Sequence, residues 1–158
     1  MDHIQIIREH LLRSKKTVAV AESVTAGLLQ FALAGAEDAA QFFQGGITAY
    51  NLGQKYRHLR IEPIHAEQCN CVDELVAMEM AKNVCKLFCS QWGISITGYA
   101  TPVPASGNSL YAWYAIAHGD EVLLSQQLHA ASAAPAAVQH WYADMALTAF
   151  ANVLQYRR

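Results

Sequence analysis

The sequence predicts an α/β fold: three layers, α/β/α, around a mixed, mostly parallel sheet of about five strands that ends in an antiparallel hairpin. Three observations carry this. Short β-branched apolar runs alternate with longer stretches of helical periodicity. The run "TVAVA", Thr17 to Ala21, is apolar on both faces, as a strand covered on both sides must be. Near the end, "SLYAWYAIA" and "EVLLSQQLH" flank His118-Gly119-Asp120, the composition of a tight hairpin turn.

Each element has its own signal. "MDHIQIIREHLLRSKK" places Ile4, Ile7 and Leu11 at amphipathic helix spacing. The first strand follows, then a helix from about Thr25 to Leu33. "GAEDAAQFFQ" reads as a turn with a short helical piece. Gly45 to Tyr50 reads as a second strand entered through paired glycines. "NLGQKYRHLRI" is a loop or irregular helix that collects Lys55, Arg57 and Arg60. From Cys71 to Trp92, the stripe Ala77, Ala81, Val84, Cys85, Phe88 marks a helix packed on a sheet, with Asn70 as its expected N-cap. Gly93 to Thr97 is the third strand, and "GYATPVPASGN" a loop. After the hairpin, Pro135 opens a closing helix whose expected core face is Val138, Trp141, Tyr142, Met145, Ala149 and Val153.

Composition bounds the function. The 158 residues form one expected domain, 1–158; 53% are hydrophobic and 15% charged, which excludes a disordered chain and leads us to expect homo-oligomeric contacts. A net charge of −2 without a basic run argues against nucleic acid and anionic membranes as partners. The start lacks the order of a signal peptide and no apolar run is long enough to span a bilayer, so a cytoplasmic location is expected. Cys69, Cys71, Cys85 and Cys89 lack the usual knuckle spacing and the seven histidines form no H-E-x-x-H pattern. We therefore expect reduced thiols, no metal and no cofactor.

In open α/β sheets ligands gather at the carboxyl ends of parallel strands. That rule selects "AESVTAG" after the first strand, "AYNLGQK" after the second and "TGYATP" after the third. Ser23, at a strand-to-helix joint, is either a helix N-cap or a nucleophile. A serine hydroxyl attacks only when a base removes its proton, and a lysine of depressed pKa can be that base; Lys55 is the candidate. Tyr50 offers a phenol to relay a proton or to hold the amine. Backbone N–H groups near Val24, Thr25 and Ala26, at the start of the helix, offer a site for an oxyanion or a phosphate.

Three fragments in order, "AESVTAG", "FFQGGITAYNLGQK" and "ISITGYATP", resemble the E-S-C-T-G-G-like turn, the Phe-Gly-Gly-Tyr-Lys series and the T-G-x-A-G-P-like loop of the CinA carboxyl-terminal domain family. That competence/damage-inducible family includes nicotinamide-nucleotide amidohydrolases, and the resemblance runs from the first helix to about Leu154. It implies hydrolysis of the carboxamide of nicotinamide mononucleotide to the acid and ammonia. Ser23 matches the nucleophile, Tyr50 and Lys55 the activating pair, and Thr97 a substrate-pocket position. Glu22, Val24, Thr25, Ala26, Gly46 and Gly98 are expected around the substrate.

The sequence departs from the pattern in places. Val24 and Ala26 replace a small thiol and a glycine, Tyr99 and Thr101 alter the third loop, and Leu87 to Tyr156 contains no lysine or arginine. A phosphate monoester normally has charge-assisted donors, each worth on the order of 1.5–3 kcal/mol. His118, His129, His140 and the cluster Lys55, Arg57, Arg60 are the available substitutes. Three readings follow: an active nicotinamide-nucleotide amidohydrolase, a degenerate relative that binds another ligand or a partner subunit, or an amidohydrolase for an uncharged amide.

Overall fold

The computed structural model describes residues 2–157. Helix α1 (His3–Ser14) leads into strand β1 (Val18–Glu22), helix α2 (Leu28–Ala34), a single 3₁₀ turn at Ala39–Gln41 and strand β2 (Phe43–Thr48). Helices α3 (Leu52–Leu59), α4 (Pro63–Gln68) and α5 (Glu74–Phe88) follow. Strands β3 (Trp92–Gly98), β4 (Tyr111–His118) and β5 (Glu121–His129) and the long helix α6 (Pro135–Tyr156) complete the chain. The five strands form one sheet in the order β2-β1-β3-β4-β5; β1 pairs in parallel with β2 and β3, and β4 and β5 add antiparallel. This is the expected α/β architecture.

Strand alternation sorts side chains by size between the two helical layers. Val18, Val20, Ile94, Ile96, Tyr114 and Ile116 face α1, α2 and α6 and build the larger core with Leu29, Tyr142 and Phe150. The opposite face carries small groups, Ala19, Ala21, Ala115 and Ala117. This lets α5 lie close on the sheet, where the Ser95 hydroxyl donates to the Ala77 carbonyl at 2.5 Å. Gly93 is required there: a Cβ on it would stand 2.2 Å from the Ala81 carbonyl oxygen. The hairpin closes through Gly119, φ +61°.

Several details differ from the sequence reading, among them β2, which runs over Phe43–Thr48 instead of Gly45 to Tyr50 and so leaves Tyr50 beyond the strand end. The second helix starts at Leu28 instead of Thr25, because Ala26 and Gly27 adopt positive φ and form a turn first. "NLGQKYRHL" is a regular helix, capped by the Asn51 side chain accepting from the Gln54 N–H at 3.0 Å. The N-cap of α5 is Asp73, which accepts from Val76 N–H at 2.8 Å, whereas Asn70 sits in a left-handed conformation before it. Helix α4 was not read at all; its six residues are too few for periodicity, and the Glu62 carboxylate caps it through Ile64 and His65 N–H.

The core face of α6 is rotated from the expected stripe. Val138 and Tyr142 are buried as expected, but the others are Ala143, Ala146, Leu147, Phe150, Ala151 and Leu154. Trp141 is 38% exposed, and Met145, Ala149 and Val153 only flank the core. Polar His140, Asp144, Thr148 and Asn152, spaced by four, mark the outward side, and the alanine-rich face away from them packs on the core.

Candidate active site

The carboxyl ends of β1, β2 and β3 converge on a cleft of about 540 Å³. All three selected stretches contribute to it: Ser23 and Val24, Tyr50 to Leu52 with Lys55, and Thr97 to Thr101. Alternation along β1 explains what happens at its end. Glu22 continues the parity of Val18 and Val20 and points to α2, whereas Ser23 continues that of Ala19 and Ala21 and points to the α3–α5 side. The Ser23 N–H still belongs to the sheet, donating to Ile96 carbonyl at 3.0 Å.

Ser23 is not a helix cap. The residue preceding α2 is Gly27, which makes no side-chain capping bond. Glu22 does the capping from the strand: its carboxylate, fully buried, accepts from Leu29 N–H at 2.9 Å, Gln30 N–H at 3.0 Å, the Thr25 hydroxyl at 2.5 Å and Gln30 Nε2 at 3.1 Å. Both carboxylate oxygens thus hold the turn and the helix together.

The Ser23 hydroxyl instead meets Lys55. Helix α3 delivers this side chain inward, 2% exposed, and its Nζ donates to Ser23 Oγ at 2.9 Å and to the Ala49 carbonyl at 3.0 Å. Among the described residues, no carboxylate pairs with the amine. Burial pushes the Lys55 pKa below the usual lysine value, opposed only by the nearby Cys71 thiol, whose own pKa burial raises. An amine so placed has a neutral fraction that can accept the serine proton, while its bond to Ala49 keeps it in position.

The remaining expected residues fall at various distances from this pair. Tyr50 lines the mouth of the cleft but is 67% exposed, and Ala49, not the Tyr50 phenol, is the second partner of the amine. Thr97 and Gly98 line the cleft; the Thr97 hydroxyl donates to Cys71 carbonyl at 2.7 Å, and a Cβ on Gly98 would stand 2.4 Å from that of Ala112. Glu22, Thr25, Ala26 and Gly46 are not in its lining. Gly46 serves packing, since its Cβ would meet Val20 at 2.5 Å and Gln30 at 2.7 Å. The expected free helix N-terminus is also different: Leu29 and Gln30 donate to Glu22, and Ala26 N–H donates to Ser23 carbonyl at 3.0 Å. Among the described residues, the Val24 and Thr25 N–H groups donate to nothing within the chain.

Sequence reasoning missed part of the wall. Asn70, Cys71 and Val72 enter from the α4–α5 connection and Gln139 from α6, where its Nε2 donates to Val24 carbonyl at 3.0 Å. The Gln139 amide followed an apolar run and carried no motif. Tyr99 has a buried hydroxyl without a partner among the described residues. Among the described residues, Lys55 is the one lysine or arginine in the lining and Glu67 the one acid; His118, His129, His140, Arg57 and Arg60 lie elsewhere.

Comparison with known proteins gives this fold its relatives. The chain is 37% identical over 121 residues to a competence-damage inducible protein of Streptococcus pneumoniae (strain ATCC 700669 / Spain 23F-1), covering 75% of the chain and 29% of that protein. It therefore spans under a third of the length of that relative. Among solved structures, the competence damage-inducible protein A from Klebsiella pneumoniae superposes with a TM-score of 0.92 at 22% identity, covering 99% of this chain and 97% of that one. A competence-damaged protein (CinA) superfamily member from Escherichia coli gives 0.87 at 24%, covering 97% and 88%. Residues 2–154 match the CinA C-terminal domain, and the chain belongs to that family.

Proposed function

We propose that the chain is an amidohydrolase in which Ser23 is the nucleophile and Lys55 the general base. The observation that carries this reading is the buried, carboxylate-free amine 2.9 Å from the serine oxygen. Neutral Lys55 takes the hydroxyl proton as Ser23 Oγ bonds to the amide carbon, then gives it to the departing nitrogen, which leaves as ammonia. The resulting ester is hydrolysed by a water that the same amine deprotonates, restoring Ser23 and releasing the acid. The Val24 N–H, which lies beside Ser23 in the lining and has no partner among the described residues, is the donor for the oxyanion. Tyr50 at the mouth offers a face on which an aromatic ring stacks.

The family resemblance makes nicotinamide mononucleotide the first substrate to test. A second reading, hydrolysis of an uncharged amide, is favoured by the lining, in which Lys55 is the one strong cation and already serves the nucleophile. Ammonia release from nicotinamide mononucleotide, its riboside and free nicotinamide, measured for the wild type and Ser23→Ala, separates the readings. Turnover abolished about 10³-fold or more by Ser23→Ala supports the serine mechanism. Preference for the nucleotide supports the first reading and preference for the riboside or free amide the second. No turnover of any of them, or equal turnover by Ser23→Ala, refutes the proposal.

A further inference from the structure

Helix α4 and the start of α5 bring together three side chains that the chemistry at Ser23 does not use. His65 and Cys69 are four residues apart, so a helical turn stacks them on one face. Asp73, the N-cap of α5, returns over that face because Asn70 and Cys71 are consecutive left-handed residues, φ 53° and 62°. A ring nitrogen of His65, the Cys69 sulfur and a carboxylate oxygen of Asp73 lie within 4.8 Å of one another, all three residues half-buried. Corner atoms bonded at about 2.0–2.3 Å to one ion stand a little closer than this, within reach of a small rotamer change.

Apart from each other and the α5 cap, the three groups have few partners. Asp73 divides its work, Oδ1 accepting from the Val76 N–H while Oδ2 faces His65 Nε2. The Cys69 thiol makes one weak contact, 3.6 Å to Ala66 carbonyl.

We propose that His65, Cys69 and Asp73 bind a divalent transition-metal ion, Zn²⁺ by the character of the donors. Thiolate, imidazole and carboxylate together suit Zn²⁺, whereas Mg²⁺ and Ca²⁺ take all-oxygen shells. On binding, the Cys69 sulfur gives its proton to solvent and bonds the ion. His65, whose Nε2 faces the Asp73 carboxylate in the ion-free chain, moves its ring hydrogen to Nδ1 through solvent and offers the freed Nε2 lone pair to the ion. Asp73 Oδ2 exchanges the imidazole for the ion while Oδ1 keeps the cap. No electron is transferred, and water completes the fourth position. The ion ties α4 to α5 across the connection that carries Asn70, Cys71 and Val72 into the cleft and holds Thr97 through the Cys71 carbonyl. Its role is to brace that wall. The sequence gives little sign of it, because the one cysteine involved partners a histidine and an acid instead of the other cysteines.

The test is independent of catalysis: titration of the metal-free full chain with Co²⁺, read by the near-ultraviolet thiolate-to-cobalt charge-transfer band, with Zn²⁺ as competitor and far-ultraviolet circular dichroism as the check on folding. The site predicts one equivalent of Co²⁺ displaced by Zn²⁺, a band absent in Cys69→Ser and unchanged in Cys89→Ser. Affinity falls at least tenfold in Asp73→Asn, which retains the Oδ1 acceptor for the cap and decides the matter should Cys69→Ser fail to fold. No band in the wild type, a band that survives Cys69→Ser, or affinity unchanged in folded Asp73→Asn overturns the proposal.

Discussion

The chemistry rests on what two adjacent residues do at the end of β1. Glu22 and Ser23 point to opposite faces, so the acid is spent on structure and the alcohol is left for Lys55. Replacing Glu22 by Gln turns an acceptor oxygen into a donor facing N–H and O–H groups. The loss is expected at about 2–3 kcal/mol, a fall in Tm of roughly 5–10 °C by thermal denaturation. Ala26, at φ 50°, holds a left-handed conformation that glycine adopts freely. Ala26→Gly is therefore expected to stabilise by about 1 kcal/mol, measured by urea unfolding.

Lys55 has the opposite signature. Its folded pKa lies below its unfolded value, so the unfolded chain binds more protons in the window between the two, and stability rises with pH through that window. Removing the amine in Lys55→Met is expected to stabilise the fold near neutral pH, with the gain shrinking as pH approaches about 10.5, the ordinary lysine value. Urea unfolding of both proteins at several pH values measures this; a gain independent of pH contradicts the assigned cause. The role of Ser23 was undecided in the sequence because a cap and a nucleophile use the same residue at the same joint. What separates them is a lysine 32 positions away, whose direction no local pattern records.

At the scale of elements, the sheet was readable because its central strands β1 and β3 are short and buried on both faces and the strands are bounded by glycine or polar turns. The hairpin was legible from its turn residues but its register was not, since a bulge shifts the pairing between Ile116 and Ala117. Helices fared unevenly. The face of α5 was legible from its apolar stripe, whereas in α6 the apolar sector is wider than the buried face and the polar series His140, Asp144, Thr148, Asn152 is the better guide to which side packs. The close seat of α5 on the sheet makes a sharp prediction. Gly93→Ala would press a methyl against the Ala81 carbonyl and is expected to cost about 2–3 kcal/mol by urea unfolding; a neutral effect would contradict the packing described.

Across the whole molecule, the rule that ligands sit at the carboxyl ends of parallel strands selected three segments, and these three line one cleft. The rule located the cleft but not its whole lining. The α4–α5 connection and Gln139 arrive from elements remote in sequence and carry no motif, so only packing reveals them. The run from Leu87 to Tyr156 without lysine or arginine does carry through to the structure, as a cleft whose one strong cation is already engaged with Ser23.

The coupling of Ser23 to Lys55 can be measured without knowing the substrate. The rate at which a serine-directed phosphonylating reagent modifies Ser23, followed by mass spectrometry of the intact chain across pH, reports the fraction of enzyme whose base is unprotonated. The account predicts a rate that climbs with pH to a plateau, with its midpoint below the ordinary lysine value and the climb lost in Lys55→Met, which reacts about 10²-fold or more slowly at the plateau. Equal rates for wild type and Lys55→Met at every pH would contradict it.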